Sequence, residues 1–300
     1  MKLCTTTGDF SLHCKTDEEK ITEIAHAGFK YIDLSMYGDE TRAYMHDNWK
    51  EDLKRLKGLA DSLGVKFVQA HSPAFETLET LRPEENWEEK LFETIRSIEI
   101  CKELDIPMTV IHAGVKRNCG REETLERNKK FYDLLVPTME KTGVNVLVEN
   151  VGILDNNGRH YLNSAERLLE FVNYFDHPLL HACWDIGHAN RFGAQHDQIK
   201  LLGKHLYAIH YNDNDKVKDL HTAPFLNTLD NDDAIRGLID VGFKGPFTFE
   251  CTNTIKFALY QFDNSVNGGE NRSIDIMRAY EKALFETGKY LLSSYGVYEE

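Results

Sequence analysis

Six short apolar runs in this sequence each end on an imidazole or a carboxylate. The runs FVQAH, TVIH, NVLVE, LLHACWD, AIH and FTFE end at His71, His112, Glu149, Asp185, His210 and Glu250. Apolar runs of about four to eight residues, rich in β-branched and aromatic side chains, are typical of buried parallel strands. The pattern therefore predicts a reactive side chain at the carboxyl end of six strands, which is where a β/α barrel builds its active site.

Strand and helix signals alternate along the whole chain. Eight strands are predicted, and each is followed by a helix or by a segment long enough to hold one, including a helical stretch over residues 121–142. Parallel strands need such crossovers, so the alternation favours an α/β fold with a closed (β/α)8 TIM barrel over a doubly wound sheet. No repeat or linker indicates a second domain, and we predict one domain over residues 1–300.

The connections that follow four of the predicted strands are unusually long. They cover residues 72–86, 150–163, 211–230 and 251–271. Because they all follow strands, they are expected at the same end of the barrel as the six reactive side chains. Loops in that position commonly shape a substrate pocket.

The charge balance and the cysteines limit the partners and the compartment. Lysine and arginine number 35 against 49 aspartate and glutamate, for a net charge of −14. Such a surface repels phosphodiester backbones, so a nucleic-acid partner is disfavoured. The six cysteines form no C-x-x-C pair, and no apolar run is long enough for a signal peptide or a membrane span. We predict a cytoplasmic protein without a membrane partner. The sequence is compatible with a homo-oligomer.

Four of the strand-end residues have the composition of a metal site. Glu149, Asp185, His210 and Glu250 bring three carboxylates and one imidazole to the barrel mouth. Converging carboxylates repel one another, and a cation relieves that repulsion. The set suits one divalent ion, Mn²⁺, Co²⁺, Mg²⁺ or Zn²⁺, without choosing among them. Such an ion would hold two neighbouring oxygens of a sugar, polarise its carbonyl and acidify the adjacent C–H.

Two further histidines occur at short spacings from an aspartate. Asp185 and His188 form a D-x-x-H step, and Asp219 and His221 form a D-x-H step after the seventh strand. On an extended segment, the D-x-H spacing points both side chains the same way. His188 and His221 are therefore candidates for contact with substrate or with a second metal.

Each of these residues also has a structural interpretation. A lone histidine at a strand end is more often a hydrogen-bonded structural group than a ligand, and a lone glutamate there is often a surface residue. Independent structural residues have no reason to share the same end of six strands. Their conjunction favours a functional site.

The strand-end motifs resemble those of one superfamily. They are HSP, IHAG, VEN, WDIGHAN, IHYND followed by DLH, and FEC, in the order of strands three to eight. Over about residues 1 to 290, the chain is similar to the xylose-isomerase-like TIM barrels, the sugar-phosphate isomerase/epimerase group that also includes the type II AP endonucleases. WDxGHAN with a downstream H…DxH is fairly specific for this superfamily, but it says little about the substrate.

The resemblance implies roles for individual residues. Glu149, Asp185, His210 and Glu250 would bind one divalent metal ion. As in the ketose 3-epimerases of the group, Glu149 and Glu250 would also be the catalytic acid/base pair, one on each face of the substrate carbon. Substrate contacts are predicted from His71, His112, His188, Asp219, His221 and Lys216.

The same positions fit a different relative, and two departures from the sugar-active pattern are visible. The endonucleases use three zinc ions and also recruit the positions matched by His71, His112, His188, Asp219 and His221. Many sugar-active relatives have a P-G-x-G turn after the D-x-H, whereas this chain reads HTAPFLNTLD. Ketose 3-epimerases commonly have an arginine where this chain has Lys216, so a flexible point charge replaces a rigid guanidinium fork.

The prediction from sequence is a divalent-metal-dependent isomerase or epimerase that acts on a small sugar, sugar phosphate or polyol by proton transfer next to a carbonyl. One alternative is a dehydratase of inosose or dehydroshikimate type, in which the same proton abstraction is followed by loss of water. A second is a trinuclear-zinc AP endonuclease. A third is a non-catalytic sugar-binding relative.

Overall fold

The fold is a closed barrel of eight parallel strands arranged in the order of the sequence. A computed structural model describes residues 1–37, 44–73, 87–114, 120–151, 161–254 and 274–300. The strands are β1 (Lys2–Thr6), β2 (Tyr31–Ser35), β3 (Lys66–His71), β4 (Met108–Val110), β5 (Asn145–Glu149), β6 (Leu180–Asp185), β7 (Leu206–Tyr211) and β8 (Pro246–Phe249). Pairing of β1 with β8 closes the barrel. The predicted (β/α)8 TIM barrel is confirmed.

Helices surround the barrel and connect its strands. They are α1 (Asp17–Ala27), α2 (Trp49–Leu63), α3 (Trp87–Glu103), α4 (Arg121–Asp133), α5 (Val136–Thr142), α6 (Ala165–Phe175), α7 (Ile186–Asn190), α8 (Gln195–Leu202), α9 (Asn231–Asp240) and α10 (Ile274–Ser294). None of these described helices is long and apolar enough to cross a membrane.

The ends of α1 illustrate how local sequence sets the helix boundaries. Thr16 accepts a hydrogen bond from the backbone N–H of Glu19, and the Glu19 side chain accepts one from the backbone of Thr16. This capping box satisfies two N–H groups that a helix start leaves unpaired. Gly28 ends the helix with a φ of 116°, a conformation that an L side chain rarely adopts.

The structure divides the helical stretch predicted over residues 121–142 into two helices. α4 ends at Asp133, and α5 begins at Val136 with Pro137 in its first turn. Proline has no backbone N–H and its ring clashes with the preceding helical turn, so it is tolerated at a helix start but not inside a helix. The break also buries Leu135 completely in the core.

Alternate residues of each strand form layers inside the barrel. Val110, Leu147, Cys183 and Ala208 form a small apolar cluster of their own, separate from the main core between the strands and helices. Two residues further along the chain, at the strand ends or just beyond them, are His112, Glu149, Asp185 and His210. Because strand side chains alternate with a period of two, these residues lie above the apolar cluster, at the barrel mouth.

Candidate active site

The predicted metal ligands converge at the barrel mouth. One ligand atom from each of Glu149, Asp185, His210 and Glu250 lies within 4.8 Å of the others, and we call this set the central cluster. Nδ1 of His210 is 3.1 Å from Oε1 of Glu149 and 3.3 Å from Oε2 of Glu250. The parallel strands β5 to β8 supply these residues at or just beyond their carboxyl ends.

The donor set of the central cluster fits a divalent cation. Nδ1 of His210 is buried and has no hydrogen-bond partner among the residues that the structure describes, although carboxylate oxygens lie close to it. Asp185 and His210 are fully buried, and Glu149 is almost so. Two buried carboxylates and a third that is partly exposed converge on one imidazole nitrogen, which is costly without a positive charge between them. Oxygen donors with one nitrogen donor suit Mn²⁺, Co²⁺, Mg²⁺ or Zn²⁺.

The three carboxyl groups differ in acidity when no cation is present. Burial opposes ionisation of Glu149, but the imidazoles of His210 and His112 outweigh it and hold its pKa well below the ordinary value. Burial raises the pKa of Glu250, which His210 only partly offsets, and burial likewise raises the pKa of Asp185. The site therefore separates one readily ionised glutamate from one that holds its proton more tightly.

A second group of ligands lies beside Glu149 and is called the His71 cluster. It consists of His71, His112 and Glu149. Nε2 of His112 is 2.8 Å from Oε2 of Glu149, and Nε2 of His71 is 3.5 Å from the same oxygen. His71 directs Nε2 inward because its Nδ1 donates to the carbonyl of Ser72. Glu149 thus belongs to two clusters, one through each carboxylate oxygen.

A third group, the His188 cluster, comprises Asp185, His188 and His221 together with Asp219. The first three present ligand atoms within 4.8 Å of one another. Asp219 lies between the two imidazoles, with its Oδ2 3.2 Å from Nε2 of His188 and its Oδ1 3.4 Å from Nε2 of His221. His188 Nδ1 donates to the Asn150 carbonyl, which turns Nε2 toward Asp219.

The acids of the His188 cluster favour protonated imidazoles. Burial opposes the charge on His221, but Asp219 outweighs it and raises the pKa of His221 to about 9. For His188, burial is likewise outweighed, by Asp185 and Asp219, so its pKa stands well above the ordinary value. The two imidazoles also overcome the burial of Asp219 and lower its pKa. These groups form a strongly coupled charge network.

Two asparagines that the sequence reasoning missed hold Asp185 in place. Asn150 accepts a hydrogen bond from the backbone N–H of Asp185 at 2.7 Å and donates to its carbonyl at 2.9 Å. Asn212 donates to Oδ2 of Asp185 at 2.9 Å. Each asparagine comes one or two residues after a strand-end ligand, in VEN and IHYND, and that position was the available signal.

The long connection after β7 is organised by one buried aspartate. Oδ1 of Asp213 accepts from the backbone N–H of Leu229, and Oδ2 accepts from that of Asn227, both at 2.8 Å. The backbone of Asp213 also pairs with Thr222 in a short bridge. This connection carries Asp219 and His221 to the site. The other three long connections lie largely outside the described residues, in 74–86, 152–160 and 255–273.

The structure does not bring Lys216 into the clusters with the other predicted site residues. Its side chain is exposed on the β7 connection, and its backbone is left-handed with a φ of 66°. Its ammonium forms no ion pair with any residue that the structure describes. A substrate contact from Lys216 stays a prediction.

An aromatic ring that the sequence reasoning missed stands at the edge of the His71 cluster. The ring centroid of Tyr37 is 5.6 Å from that of His71 and 6.4 Å from that of His112. The side chain is 46% exposed, so it borders the open mouth of the barrel. The only signal was an aromatic residue two positions after β2.

The fold and the site define a (β/α)8 barrel with clusters of possible metal ligands at the carboxyl ends of its strands. A comparison of the sequence with protein families gives the same class. The sequence profile of the Xylose isomerase-like TIM barrel family matches residues 21–278. The chain belongs to this family, as the motif resemblance predicted.

The proteins to which the chain is similar are distant in sequence. The uncharacterized protein MJ1311 of Methanocaldococcus jannaschii is 28% identical over 211 residues, which are 68% of this chain and 70% of that protein. The structure of IolI with a binding zinc atom has a TM-score of 0.77 at 19% identity, covering 98% of this chain and 99% of IolI. A D-tagatose 3-epimerase-like protein has a TM-score of 0.71 at 22% identity, covering 89% and 99%.

A third solved structure adds a bound sugar. The D-psicose 3-epimerase of Clostridium cellulolyticum H10, in structures with D-tagatose, has a TM-score of 0.74 at 14% identity and covers 97% of this chain and 99% of the epimerase. At these identities, the likeness to solved structures establishes the fold.

Proposed function

We propose that this protein is a divalent-metal-dependent isomerase or epimerase of a small sugar or sugar-derived ketone. The observation that carries the proposal is the central cluster, in which Glu149 and Glu250 approach the same nitrogen of His210 at 3.1 and 3.3 Å. The epimerase titles among the structural relatives support a sugar-like substrate. The IolI structure with zinc supports a metal in this fold.

Glu149, Asp185, His210 and Glu250 would hold the ion. Bound there, it would polarise a substrate carbonyl and lower the pKa of the neighbouring C–H. The glutamates have carboxylate oxygens available at the same mouth, so each can accept or return a proton within the site. His112, 2.8 Å from Glu149, stabilises the ionised form of that glutamate, which is the form that a base requires.

The residues around the central cluster would bind the hydroxyl groups of the substrate. His71, His112 and His188 surround Glu149 and carry polar ring nitrogens, and Tyr37 adds an aromatic face at the rim. Sugars combine hydroxyl groups with apolar C–H faces, so a mixed imidazole and aromatic wall suits them. The acidic chain, at −14, suits a neutral sugar better than a polyanion.

Hydrogen exchange with solvent tests the proposed proton transfer directly. Protein loaded with Mn²⁺ would be incubated in D₂O with ketohexoses, ketopentoses and cyclic ketones of inosose type. We expect deuterium next to the carbonyl of at least one compound, and a loss of about 10²–10⁴-fold in the Glu149→Gln and Glu250→Gln variants. Glu103→Gln, at a surface glutamate paired with Lys50, is the matched control and retains the parent rate.

Product mass separates the outcomes of this experiment. A product of unchanged mass supports isomerisation or epimerisation, whereas a product lighter by one water indicates the dehydratase. Absence of both exchange and conversion across the panel, in protein shown to carry metal, would refute the proposed activity.

The His71 and His188 clusters favour one second candidate, metal-dependent phosphodiester hydrolysis at abasic sites. Together with the central cluster they make three adjacent ligand groups, which is the arrangement that three zinc ions would require. Zinc-loaded protein would be incubated with an abasic duplex oligonucleotide at physiological salt. Cleavage that disappears in His112→Ala would favour this candidate, and intact oligonucleotide would exclude it. The net charge of −14 opposes it.

A further inference from the structure

A buried polar group lies below the central cluster, inside the barrel. The amide nitrogen Nε2 of Gln69 is 2.8 Å from Nε2 of His210 and 3.2 Å from Oδ1 of Asp33. Thr248 donates from Oγ1 to Oε1 of Gln69 at 3.4 Å. All four side chains have no solvent exposure. Gln69 therefore connects the buried carboxyl group of Asp33 to Nε2 of His210, a residue of the central cluster.

Packing alone does not explain why Asp33, Gln69 and Thr248 are buried together, because buried polar groups cost folding free energy. Four other interior residues, like Gln69 and Thr248, lie two positions before a residue of the mouth, and they form an apolar cluster of Val110, Leu147, Cys183 and Ala208. Burying an amide and a carboxyl group is unfavourable unless each finds partners, and Oδ2 of Asp33 has none among the described residues. A buried polar group in a barrel interior that accommodates aliphatic residues elsewhere indicates a functional role for that group. The side chain that Gln69 contacts in the cluster above is His210.

We infer that Gln69 is a positioning residue of the metal centre and that Asp33 and Thr248 hold its amide. The inference rests on the proposed function, because it assigns a role toward the metal held by the central cluster. An imidazole has two nitrogens, and a partner on one of them fixes the ring orientation and determines which nitrogen is free. Gln69 occupies Nε2 of His210, so Nδ1 is left to face Glu149 and Glu250.

The Gln69 amide is able to serve the metal-bound form of the ring. When Nδ1 is a ligand, Nε2 carries the hydrogen and needs an acceptor. Rotation about the last side-chain bond of Gln69 presents Oε1 to that hydrogen and turns the amide nitrogen toward Oγ1 of Thr248. Asp33 then faces an acceptor and must donate. Burial raises the pKa of Asp33, despite nearby imidazoles, which favours the protonated carboxyl that this arrangement needs.

Metal affinity of three variants tests the inference. Gln69→Leu removes the amide and its three hydrogen bonds while roughly keeping the volume. The double variant Asp33→Asn with Gln69→Glu exchanges the acid and the amide, so a carboxylate accepts from Nε2 of His210. Leu147→Met changes the apolar cluster at similar volume and is the control. The readouts are Mn²⁺ affinity by calorimetry and the visible absorption spectrum of the Co²⁺-loaded protein, with melting temperature as a check on folding.

We expect Gln69→Leu to bind Mn²⁺ about 10–100-fold more weakly, which is the usual cost of removing a partner of a metal-bound histidine. The Co²⁺ spectrum changes with it, because the ring is no longer held. The exchanged double variant recovers affinity toward the parent value, and Leu147→Met matches the parent.

Two outcomes would overturn the inference. One is a folded Gln69→Leu protein with parent affinity and an unchanged Co²⁺ spectrum. The other is an exchanged double variant that binds Mn²⁺ about 10–100-fold more weakly than the parent, and its comparison with the parent decides the matter if Gln69→Leu fails to fold. A parent protein that binds neither Mn²⁺ nor Co²⁺ refutes the metal centre and the inference together. A parent that binds metal but converts no sugar refutes only the proposed activity, because the affinity comparison still tests Gln69.

Discussion

Oε1 of Glu149 lies 3.1 Å from Nδ1 of His210, and neither side chain is open to solvent. The other oxygen of the same carboxylate is 2.8 Å from His112. Glu149 therefore links the central cluster to the His71 cluster. A carboxylate in this position has two tasks available, one toward a metal and one toward a proton, and its surroundings keep it ionised.

A methyl group at Gly187 is expected to disturb the site through Asn212. A Cβ there would lie 1.7 Å from Oδ1 of Asn212, the residue that donates to Asp185. We expect Gly187→Ala to lose about 1–3 kcal/mol of unfolding free energy and to bind Mn²⁺ more weakly. Urea unfolding and calorimetry measure the two effects. Gly58→Ala is the control, because a Cβ at Gly58 meets nothing within 4 Å among the described residues. This substitution should stabilise α2 by about 0.5–1 kcal/mol.

Removal of the Asp213 carboxylate should loosen the connection after β7. Asp213→Ala leaves the backbone N–H groups of Asn227 and Leu229 without their acceptor. We expect faster amide hydrogen exchange over residues 214–229 and a stability loss of about 1–3 kcal/mol. Because Asp219 and His221 lie on this connection, turnover should fall as well. Unchanged exchange in this segment would show that Asp213 does not organise it.

The acidity of His221 should depend on Asp219. In metal-free protein, burial opposes the imidazolium of His221, and Asp219 is the main group that raises its pKa to about 9. We expect Asp219→Asn to move that pKa down toward the ordinary histidine value of about 6.5. Imidazole chemical shifts followed by NMR from pH 5 to 10 measure it. A pKa that stays at the parent value in the variant would contradict the assigned coupling.

A buried glutamate away from the site should make stability depend on pH. Glu281 on α10 is fully buried, and neither carboxyl oxygen has a hydrogen-bond partner among the described residues. Burial, reinforced by Asp9, raises its pKa well above the ordinary value. The folded state therefore holds a proton that the unfolded state releases above about pH 4.3, so stability falls as pH rises from there to the folded pKa.

Glu281→Gln should remove this dependence. We expect urea-unfolding free energies of the parent to contain a contribution that decreases by up to about 1.4 kcal/mol per pH unit above pH 4.3, and the variant to lack it. Glu103→Gln, at a surface ion pair, should keep the parent slope. Parallel pH profiles for parent and Glu281→Gln would show that the buried carboxyl does not hold a proton in the folded state.

Much of the barrel and its mouth could be predicted because one period governs both. A strand residue and its neighbour two positions away share a face, so an apolar run ending in His, Asp or Glu places that residue at the strand end. This reasoning predicted where His210 and Glu250 lie. The same period places Gln69 on the same face of β3 as His71, inside the barrel. The sequence did not show that Gln69 contacts His210 across the barrel.

Loops and helix breaks were harder to predict, since they depend on contacts between distant residues. Lys216 follows a strand-end ligand at the spacing of the epimerase arginine, yet its backbone is left-handed and its side chain is exposed. The sequence pattern of residues 121–142 is helical throughout, but in the structure two helices separate where Leu135 enters the core, two residues before Pro137. The spacing of apolar residues alone does not predict where this break falls.

Metal content per chain tests the central claim most directly. Protein purified without added metal would be measured by elemental mass spectrometry beside the Glu149→Gln, Glu250→Gln double variant. The proposed function predicts about one Mn, Co, Mg or Zn per parent chain and near none in the double variant. No metal in the parent, with none taken up on addition of Mn²⁺ or Zn²⁺, would contradict it, and near three zinc ions would favour phosphodiester hydrolysis instead.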